Sequence, residues 1–499
     1  MTLARTVVKW LARALAAGFV LLALIVVLFA ALARAKHPPL AAWHRLELRE
    51  EYRADRAGVN SFEDYMALES RLFAELHARL LDVPSGADPF TLGRYHPGSP
   101  AARRAWDTPY NRSYELRPEH PRGAVLLVHG LSDSPYSMRA LADVFFAQGY
   151  DVVVLRMPGH GTTPSMLRHV SWKDWYGAVA LAARYTAARA GPGKPFLAAG
   201  HSTGAALLTL YALRALDDPS LPRPARLYLM SPAIGISDFA FMTNVISSLS
   251  FVPYFESSAW LDVIPEYDPY KYNSFPVNAA NQIYRVTREL RAAFAREAKA
   301  GRLADMPRVT VFHSLVDATV KSVDVVRNLL APLPGDGNEL VVFDVNRQES
   351  LRGLLAPAPI EYLERIRSAV DMPFRITLVT NRSPAVADVA AYSRAPRGRE
   401  PAVEDLPLAW PRGVFSLSHV AIPFPPDDPV YGLAPSDDGG PAFPLGAFAA
   451  RGEDGALLVP LGMLARLRSN PFFDVIRAKV AATCRDDEAR SGAATGASR

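Results

Sequence analysis

Cysteine is almost absent from this sequence, since Cys484 is the only one in 499 residues. An internal disulfide is therefore excluded, and cysteine usage gives no indication of the redox compartment. No cysteines and histidines have the spacing of a zinc site, and the acidic pairs 427–428 and 437–438 lack the ligand spacing of a calcium loop. A glycine-rich phosphate loop is also missing. The sequence thus predicts no metal and no organic cofactor.

Most of the chain has no excess of positive or negative charge. The formal net charge is +5, and residues 1–36 contain five basic residues and no acidic one, so the remainder sums to zero. A basic surface for nucleic acid is not expected. We therefore expect a small-molecule substrate and no nucleic-acid partner, and the sequence leaves the oligomeric state open.

One long uncharged run is present near the N terminus. Between Arg13 and Arg34 lie 20 residues without a charge, 14–33, and as a helix at about 1.5 Å per residue they would extend roughly 30 Å, one hydrocarbon thickness. A cleaved signal peptide is the alternative, because residues 33–35 offer an A-x-A pattern, but signal cores usually have only about 7 to 15 residues. The run predicts an uncleaved N-terminal transmembrane helix. Although basic residues flank both ends, we expect a cytoplasmic N terminus and a catalytic domain on the periplasmic face of a bacterial inner membrane.

The pentapeptide Gly200-His201-Ser202-Thr203-Gly204 carries the strongest chemical signal. It follows the apolar run 195–199 and precedes the helix-prone stretch 205–216. A G-x-S-x-G between a strand and a helix forces a sharp turn that lifts the serine hydroxyl above the sheet, and only small flanking residues tolerate the crowding. Ser202 is therefore the predicted nucleophile.

A second segment predicts where the charge of an acyl-transfer intermediate is held. The continuous apolar run 124–128 is typical of a strand buried on both faces of a parallel sheet, and it ends in His129-Gly130-Leu131. Gly130 lets the backbone approach the serine closely. The backbone N–H groups of Leu131 and Thr203 are the predicted oxyanion donors.

The general base follows by elimination. The acid and the base come after the nucleophile in this strand-turn-helix architecture, which leaves His313 and His419. His313 ends the apolar run 309–312, where a core or strand-end histidine is the usual role, and it precedes the best acid. His419 lies in the strand-like run 413–419, which opens into a proline-rich loop, and it is the predicted base.

Two aspartates compete as the acid that orients the imidazole. Asp317 comes a few residues after the run 309–312, where its carboxylate would fix the tautomer and stabilise the imidazolium. Asp344 also closes a strand-like run, 340–345, but sits within it. Asp317 is favoured, and Asp344 remains the alternative.

Four blocks occur in order along the chain: HGLSDSPYSM at 129–138, RMPGHGTTP at 156–164, WKDW at 172–175 and GHSTG at 200–204. Together they resemble the serine hydrolases of the α/β-hydrolase fold, in the group of monoacylglycerol lipases, bacterial carboxylesterases and serine aminopeptidases. The resemblance implies a mostly parallel central sheet flanked by helices, and a triad of Ser202, Asp317 and His419 with no cofactor. The 102 positions from 317 to 419 are a longer gap between acid and base than the group usually has.

The resemblance and the composition divide the chain into segments. Residues 236–306 form an insertion expected to cap the serine, and the apolar side chains of its first half either line an acyl-chain pocket or fix the cap to the domain. A second insertion, 347–412, contains a helix candidate at 359–370 and a strand-like run at 374–379. The predicted segments are a membrane anchor at 1–36, a helical lead-in at 37–105 that contacts the domain or the bilayer, the catalytic domain at 106–424, a C-terminal extension at 425–485 that packs on the domain, and a disordered tail at 486–499.

These expectations combine into a membrane-anchored serine ester hydrolase that forms an acyl-enzyme. A bilayer anchor and an apolar cap favour lipid-like acyl esters of the monoacylglycerol or lysophospholipid type. An aminopeptidase-type peptidase, an acyltransferase and a non-catalytic binding module remain alternatives, because the resemblance in fold does not separate them.

Overall fold

The computed structural model describes residues 2–83, 88–235, 253–348, 361, 372–434, 445–446 and 461–497. Most of the apolar first half of the cap and nearly all of the helix candidate at 359–370 lie outside the described residues, as does the acidic pair 437–438.

The strands of the described part of the chain form one ten-stranded sheet and one small ribbon. In the sheet these are β1 Tyr114–Leu116, β2 Gly123–Val128, β3 Tyr150–Leu155, β4 Phe196–His201, β5 Arg226–Met230, β8 Arg308–Ser314, β9 Glu339–Phe343, β10 Arg375–Asn381, β11 Asp388–Arg394 and β12 Ala402–Ala409. The ribbon pairs β6 Trp260–Asp262 with β7 Phe275–Pro276.

The spatial order of the sheet is β1-β3-β2-β4-β5-β8-β9-β10-β11-β12. All pairs from β3 to β10 are parallel, and the antiparallel strands β1, β11 and β12 lie at the two edges. The α-helices within the described ranges are α1 Thr2–Lys36, α2 Ala42–Arg45, α3 Phe62–Leu76, α4 Pro100–Asp107, α5 Arg139–Ala147, α6 Trp172–Ala190, α7 Thr203–Arg214, α8 Val277–Lys299, α9 Ser322–Val325, α10 Leu461–Leu464 and α11 Phe473–Ala497.

Helices cover both faces of the sheet. Every residue of β2, β3 and β4 is buried, as continuous apolar runs in a parallel sheet require. On one face α6, α7 and α8 contribute side chains such as Trp175, Leu207 and Ile283 to the larger core. On the other face α5 and α11 contribute Phe145 and Ile476 to a second core. The predicted α/β-hydrolase fold is confirmed.

The lead-in segment docks on the catalytic domain through a buried ion cluster. The guanidinium of Arg156, in the RMPGHG block, contacts Glu51 at 3.0 Å and Glu69 at 2.9 Å, and the three side chains are at most 5 % exposed. Ser61 caps the N terminus of helix α3, and the hydroxyl of Tyr65 in this helix donates to the Arg156 carbonyl at 2.6 Å. The lead-in segment therefore packs against the catalytic domain, which is one of the two alternatives, domain or bilayer, that the sequence left open.

The second insertion extends the sheet. Only one strand-like run was predicted there, but β10, β11 and β12 all join the sheet beyond β9. These three strands lie between Asp317 and His419 in the sequence and account for part of the long gap between them. The chain then returns to the edge of the sheet next to β8. A hydrogen bond from Ser314 Oγ to the Leu417 carbonyl, 2.8 Å long, fixes the return.

The strand-like run at 413–419 is not a strand. Its backbone makes isolated contacts instead of a ladder, because Phe415 accepts a single hydrogen bond from the Asn346 N–H and His419 begins a short 3₁₀ turn. His419 therefore lies in a turn and not at the end of a strand.

The C-terminal tail differs from the predicted disorder, because α11 continues through Ala497. The polar composition of 486–499 favoured disorder, but Asp487 forms a buried ion pair with Arg226 of β5 at 2.7 Å and contacts Arg308 of β8 at 3.4 Å. These contacts hold the helix against the amino ends of two central strands.

The predicted transmembrane helix is not confirmed. Residues 14–33 are helical within α1, but the described part of the chain contains no helix that combines the length and the apolar character needed to cross a membrane.

Candidate active site

Ser202 occupies the sharp turn between β4 and α7. Its φ of 50° and ψ of −110° lie in a region that residues other than glycine rarely adopt. The turn is held on both sides, because the Ser202 N–H donates to the Met230 carbonyl at 2.9 Å and its own carbonyl accepts from Ala206 and Ala233, each at 3.1 Å. Backbone strain of this kind is found at functional sites, where the surrounding structure enforces it.

The two glycines of the pentapeptide make the turn sterically possible. A Cβ on Gly200 would approach the backbone of Ala205 to 2.7 Å, and a Cβ on Gly204 would approach the Val128 carbonyl oxygen to 2.2 Å. Any larger residue would therefore push α7 away from β4 or from the end of β2. The G-x-S-x-G pattern is thus explained by close contact between helix and strands.

The loop after β2 lies directly against the serine turn. A Cβ on Gly130 would be 3.3 Å from the Ser202 Cβ, so glycine permits the approach that the sequence predicted. His129 is fully buried and structural, since its Nε2 accepts from the Met157 N–H at 3.0 Å and its Nδ1 contacts the Gly130 carbonyl at 2.8 Å. Leu131 and Thr203 both line the cavity above Ser202. Thr203 is the first residue of α7, where backbone N–H groups have no partner within the helix.

The structure brings His419 and Asp317 together. The distance from His419 Nδ1 to Asp317 Oδ2 is 2.7 Å, and both residues are buried. The other oxygen of Asp317 accepts from the backbone N–H groups of Thr319 at 2.8 Å and Val320 at 2.9 Å. The carboxylate is thus fixed and aimed at the imidazole, and His419 lines the same cavity as Ser202.

The alternative acid and the alternative base lie elsewhere. Asp344 accepts from Thr380 Oγ1 at 2.7 Å and pairs with Arg347, so its carboxylate belongs to the edge of the sheet beyond β9. His313 is fully buried behind the acid, with its Nδ1 3.9 Å from Asp317 Oδ2. Burial lowers the pKa of His313 to about 4 despite the charge of Asp317, so this histidine is neutral near pH 7.

The charges of the acid and base pair follow from burial and hydrogen bonding. Burial lowers the pKa of His419, while the hydrogen bond and the charge of Asp317 act in the opposite direction. Burial alone would raise the pKa of Asp317, but its hydrogen bond to His419 and its backbone contact outweigh burial and hold the pKa well below the usual range. Near neutral pH the pair therefore consists of a neutral imidazole and a carboxylate.

A second polar cluster lies beside the serine. Asp133 is buried and pairs with Lys271 of the cap on one oxygen, and its other oxygen is 3.3 Å from His201 Nδ1. The Nε2 of His201 contacts the carbonyl of His419 at 3.3 Å. The cluster thus connects the cap, the serine turn and the base loop. Sequence reasoning assigned no role to Lys271 or His201, because their contacts form only in the folded chain.

A cavity of about 540 Å³ opens above the serine. Its lining contains Ser202, His419, Leu131 and Thr203 together with apolar side chains of the cap and the domain, and three charged residues, Asp133, Lys271 and Arg466, also face it. The apolar members of the lining are Leu131, Ala233, Leu261, Phe275, Ala280, Ile283, Val320 and Val420. Arg466 belongs to the C-terminal extension, for which only packing on the domain was predicted.

The parallel sheet, the strained serine turn and the paired histidine and aspartate are together those of the α/β-hydrolase serine hydrolases. Three residues of the candidate site follow the carboxyl ends of parallel strands: Ser202 follows β4, Leu131 follows β2 and Asp317 follows β8. This is the edge of an open parallel sheet at which ligands bind.

Comparisons with known proteins agree with this class. Residues 119–333 match the family described as serine aminopeptidase, S33. A stretch of 55 residues is 42% identical to the thermostable monoacylglycerol lipase of Bacillus sp. (strain H-257), and it covers 11% of this chain and 22% of that protein. The match thus spans about a fifth of the relative's length.

Two solved structures are also similar. A soluble variant of the monoglyceride lipase of Saccharomyces cerevisiae is 14% identical with a TM-score of 0.36, over 46% of this chain and 82% of that one. The monoacylglycerol lipase of Paleococcus ferrophilus is 16% identical with a TM-score of 0.34, over 47% of this chain and 89% of that one.

Proposed function

We propose that the protein is a serine ester hydrolase that cleaves lipid-like acyl esters, of the monoacylglycerol or lysophospholipid type, through an acyl-enzyme. The observation that carries the proposal is the 2.7 Å contact between His419 and Asp317 at the cavity that Ser202 lines. The relative from Bacillus, which is a monoacylglycerol lipase, gives further support.

In the proposed reaction, Ser202 attacks the ester carbonyl while His419 takes the hydroxyl proton. Asp317 holds the imidazole through Nδ1, which leaves Nε2 as the basic nitrogen, and its charge stabilises the imidazolium. The N–H groups of Leu131 and Thr203 donate to the carbonyl oxygen as it becomes negative, and the free N–H groups at the start of α7 add a favourable dipole. His419 then protonates the leaving alcohol, and water hydrolyses the acyl-enzyme by the same steps in reverse order.

The cavity supports an apolar acyl chain. Its volume of about 540 Å³ falls in the range of ligand pockets, and Leu261, Phe275 and Ile283 belong to the cap or its helix α8. Burying one methylene of a substrate against such side chains is worth about 0.8 kcal/mol. A chain of several carbons would therefore contribute substantially to binding.

An aminopeptidase is less well supported by this cavity. Binding of a substrate ammonium group requires a carboxylate that is free to pair with it. Among the described lining residues the only carboxylate is that of Asp133, which already pairs with Lys271 and His201. The ester hydrolase is therefore preferred to the peptidase.

Turnover of a substrate panel tests the proposal. Purified protein is incubated with p-nitrophenyl esters of graded chain length, with monoacylglycerols and with aminoacyl anilides, in parallel with Ser202→Ala. We expect ester turnover by the natural protein and a decrease of kcat by about 10⁴-fold or more in Ser202→Ala. Turnover of the anilides alone would favour the peptidase. Transfer of the acyl group to added alcohol would favour the acyltransferase, and a folded protein without any turnover would favour the binding module.

We also propose that α1 attaches the enzyme to a membrane, with the catalytic domain on the periplasmic face. Support comes from apolar side chains of α1 that are largely exposed, including Trp10 at 66%, Leu15 at 75% and Phe19 at 73%. An apolar surface of this kind marks an interaction site for lipid or protein. Deletion of residues 1–36 should move the activity from the membrane fraction to the soluble fraction, and an intact chain that fractionates as soluble would contradict the attachment.

A further inference from the structure

Arg466 places an unpaired positive charge in the catalytic cavity. Its side chain lines the cavity together with Ser202 and His419. Within the described residues it has no hydrogen bond or ion pair. Arg466 is an exposed residue, so part of its side chain lies in solvent. Partial desolvation and the neighbouring Arg468 lower its pKa, and the charge of Asp317 acts in the opposite direction. The guanidinium of Arg466 is therefore available to pair with an anionic group of a bound ligand.

The segment that carries Arg466 is held beside the catalytic base. Ser418, the residue before His419, donates from its Oγ to the carbonyl of Leu467, the residue after Arg466. Arg468 is buried and contacts Asp268 at 3.5 Å and the Tyr267 hydroxyl at 3.0 Å, both in the cap. The guanidinium of Arg466 is therefore presented from a backbone that is fixed to both the base loop and the cap.

The charged residues that line the described part of the cavity sum to one positive charge. Asp133, Lys271 and Arg466 are the charged residues of the described lining, and Asp133 neutralises Lys271 by direct contact. Arg466 is the charge that remains. Because His419 returns its proton to the leaving alcohol, the side of the cavity next to the base loop is the side of that alcohol.

We propose that Arg466 forms an anion subsite that selects acyl esters whose leaving alcohol carries a phosphate or a carboxylate. This inference rests on the proposed ester hydrolysis. The acyl C–O bond breaks, the alcohol oxygen takes the proton from His419, and the anionic group stays intact in a bidentate contact with the guanidinium, the geometry that arginine favours for phosphate and carboxylate. The fatty acid leaves after water attacks the acyl-enzyme.

Three esters with one acyl chain test the subsite. Neutral 1-lauroylglycerol, 1-lauroylglycerol 3-phosphate and the lauroyl ester of glycerate are compared in the same micelles, with the natural protein, Arg466→Gln and Arg466→Lys. We expect the natural protein to prefer one or both anionic esters. Arg466→Gln should lower kcat/KM for the preferred anionic ester by about 10- to 100-fold, mainly through KM, and change the neutral ester less than about twofold. Arg466→Lys should restore part of the loss.

Arg485→Gln is the matched control, because Arg485 is an exposed arginine on α11 outside the cavity. It should leave all three kcat/KM values unchanged. Turnover of the neutral ester with no preference for either anionic ester, or an equal loss on all three esters in Arg466→Gln, would overturn the subsite and leave ester hydrolysis standing. Absence of turnover with all three esters would overturn both proposals.

Discussion

At the scale of single residues, the proposed reaction depends on an imidazole whose orientation and charge are set by one carboxylate. His419 contacts Asp317 at 2.7 Å, and two backbone N–H groups fix that carboxylate. Asp344 is equally buried but pairs with Arg347 and Thr380. The two aspartates therefore have separable roles, one in positioning the base and the other in the structure of the sheet edge.

Substitution of each aspartate by asparagine separates these roles. Asp317→Asn keeps the shape but stabilises the wrong tautomer of His419, so kcat should fall by about 10⁴-fold while KM changes little. Asp344→Asn should retain kcat within a few-fold and lower only the stability. Steady-state kinetics on one ester, with circular dichroism to verify folding, checks both variants. Loss of kcat in Asp344→Asn alone would reverse the assignment of the acid.

The pH dependence of the reaction follows from the buried base. His419 must be neutral to accept the serine proton, and burial lowers its pKa below the ordinary value of 6.5. A lowered pKa keeps the base neutral at more acidic pH, so the acid limb of kcat/KM should have its midpoint below pH 6.5. A profile of kcat/KM from pH 4 to pH 9 measures this midpoint in the free enzyme. A midpoint above pH 7 would contradict the described environment of His419.

The residues around the serine turn were predicted from local geometry, whereas His419 was predicted by elimination among the histidines that follow Ser202. Ser202, Gly130 and the two flanking glycines were predicted because the strand, the turn and the helix are adjacent in the chain. The identity of the acid stayed open between Asp317 and Asp344, since only the folded chain brings one of them to His419. Lys271 and Arg466 gave no local signal at all, because each reaches the cavity from a distant segment.

At the scale of elements, the last helix, α11, packs on one face of the sheet and is held there by a buried ion pair. Asp487 of α11 is 3% exposed on its side chain and pairs with Arg226 of β5, which is 4% exposed. Removing one partner of such a buried pair leaves an uncompensated charge in the interior. Composition predicted disorder here because acidic and small residues follow one another, and the basic partners lie more than 170 positions away.

Truncation of this carboxylate tests the attachment of α11. Asp487→Ala should lower the free energy of unfolding by about 3–5 kcal/mol, since Arg226 stays buried without its partner. The neighbouring Asp486 is exposed, and Asp486→Ala should change the stability by less than about 0.5 kcal/mol. Urea denaturation followed by tryptophan fluorescence gives both values. Equal stabilities for the two variants would show that the ion pair does not hold the helix.

The three strands of the second insertion show where prediction from sequence fails for an element. The run 374–379 was recognised, because β10 is a central strand with an apolar core. By contrast β12 is an edge strand with largely exposed residues, and it carries two acidic side chains and Pro407. Such edge strands lack the apolar pattern of the centre and resist pairing with other chains. Its place in the sheet follows from pairing with β11.

At the scale of the whole molecule, the catalytic cavity is assembled from four parts of the chain. The domain supplies Ser202 and Asp317, and the loop after the sheet extension supplies His419. The cap supplies Lys271, and the C-terminal extension supplies Arg466. The lead-in helices stabilise this assembly through Glu51 and Glu69 on Arg156. The fold class was predictable because its blocks are contiguous, whereas the composition of the cavity depends on contacts between distant segments.

Covalent labelling of Ser202 tests the central claim most directly. The intact protein is treated with a fluorophosphonate and the adduct is located by mass spectrometry of the peptide that contains residue 202. The account predicts one adduct on Ser202, formed slowly in Asp317→Asn and absent from Ser202→Ala. A folded protein that stays unlabelled, or that is labelled equally in Ser202→Ala, would contradict it.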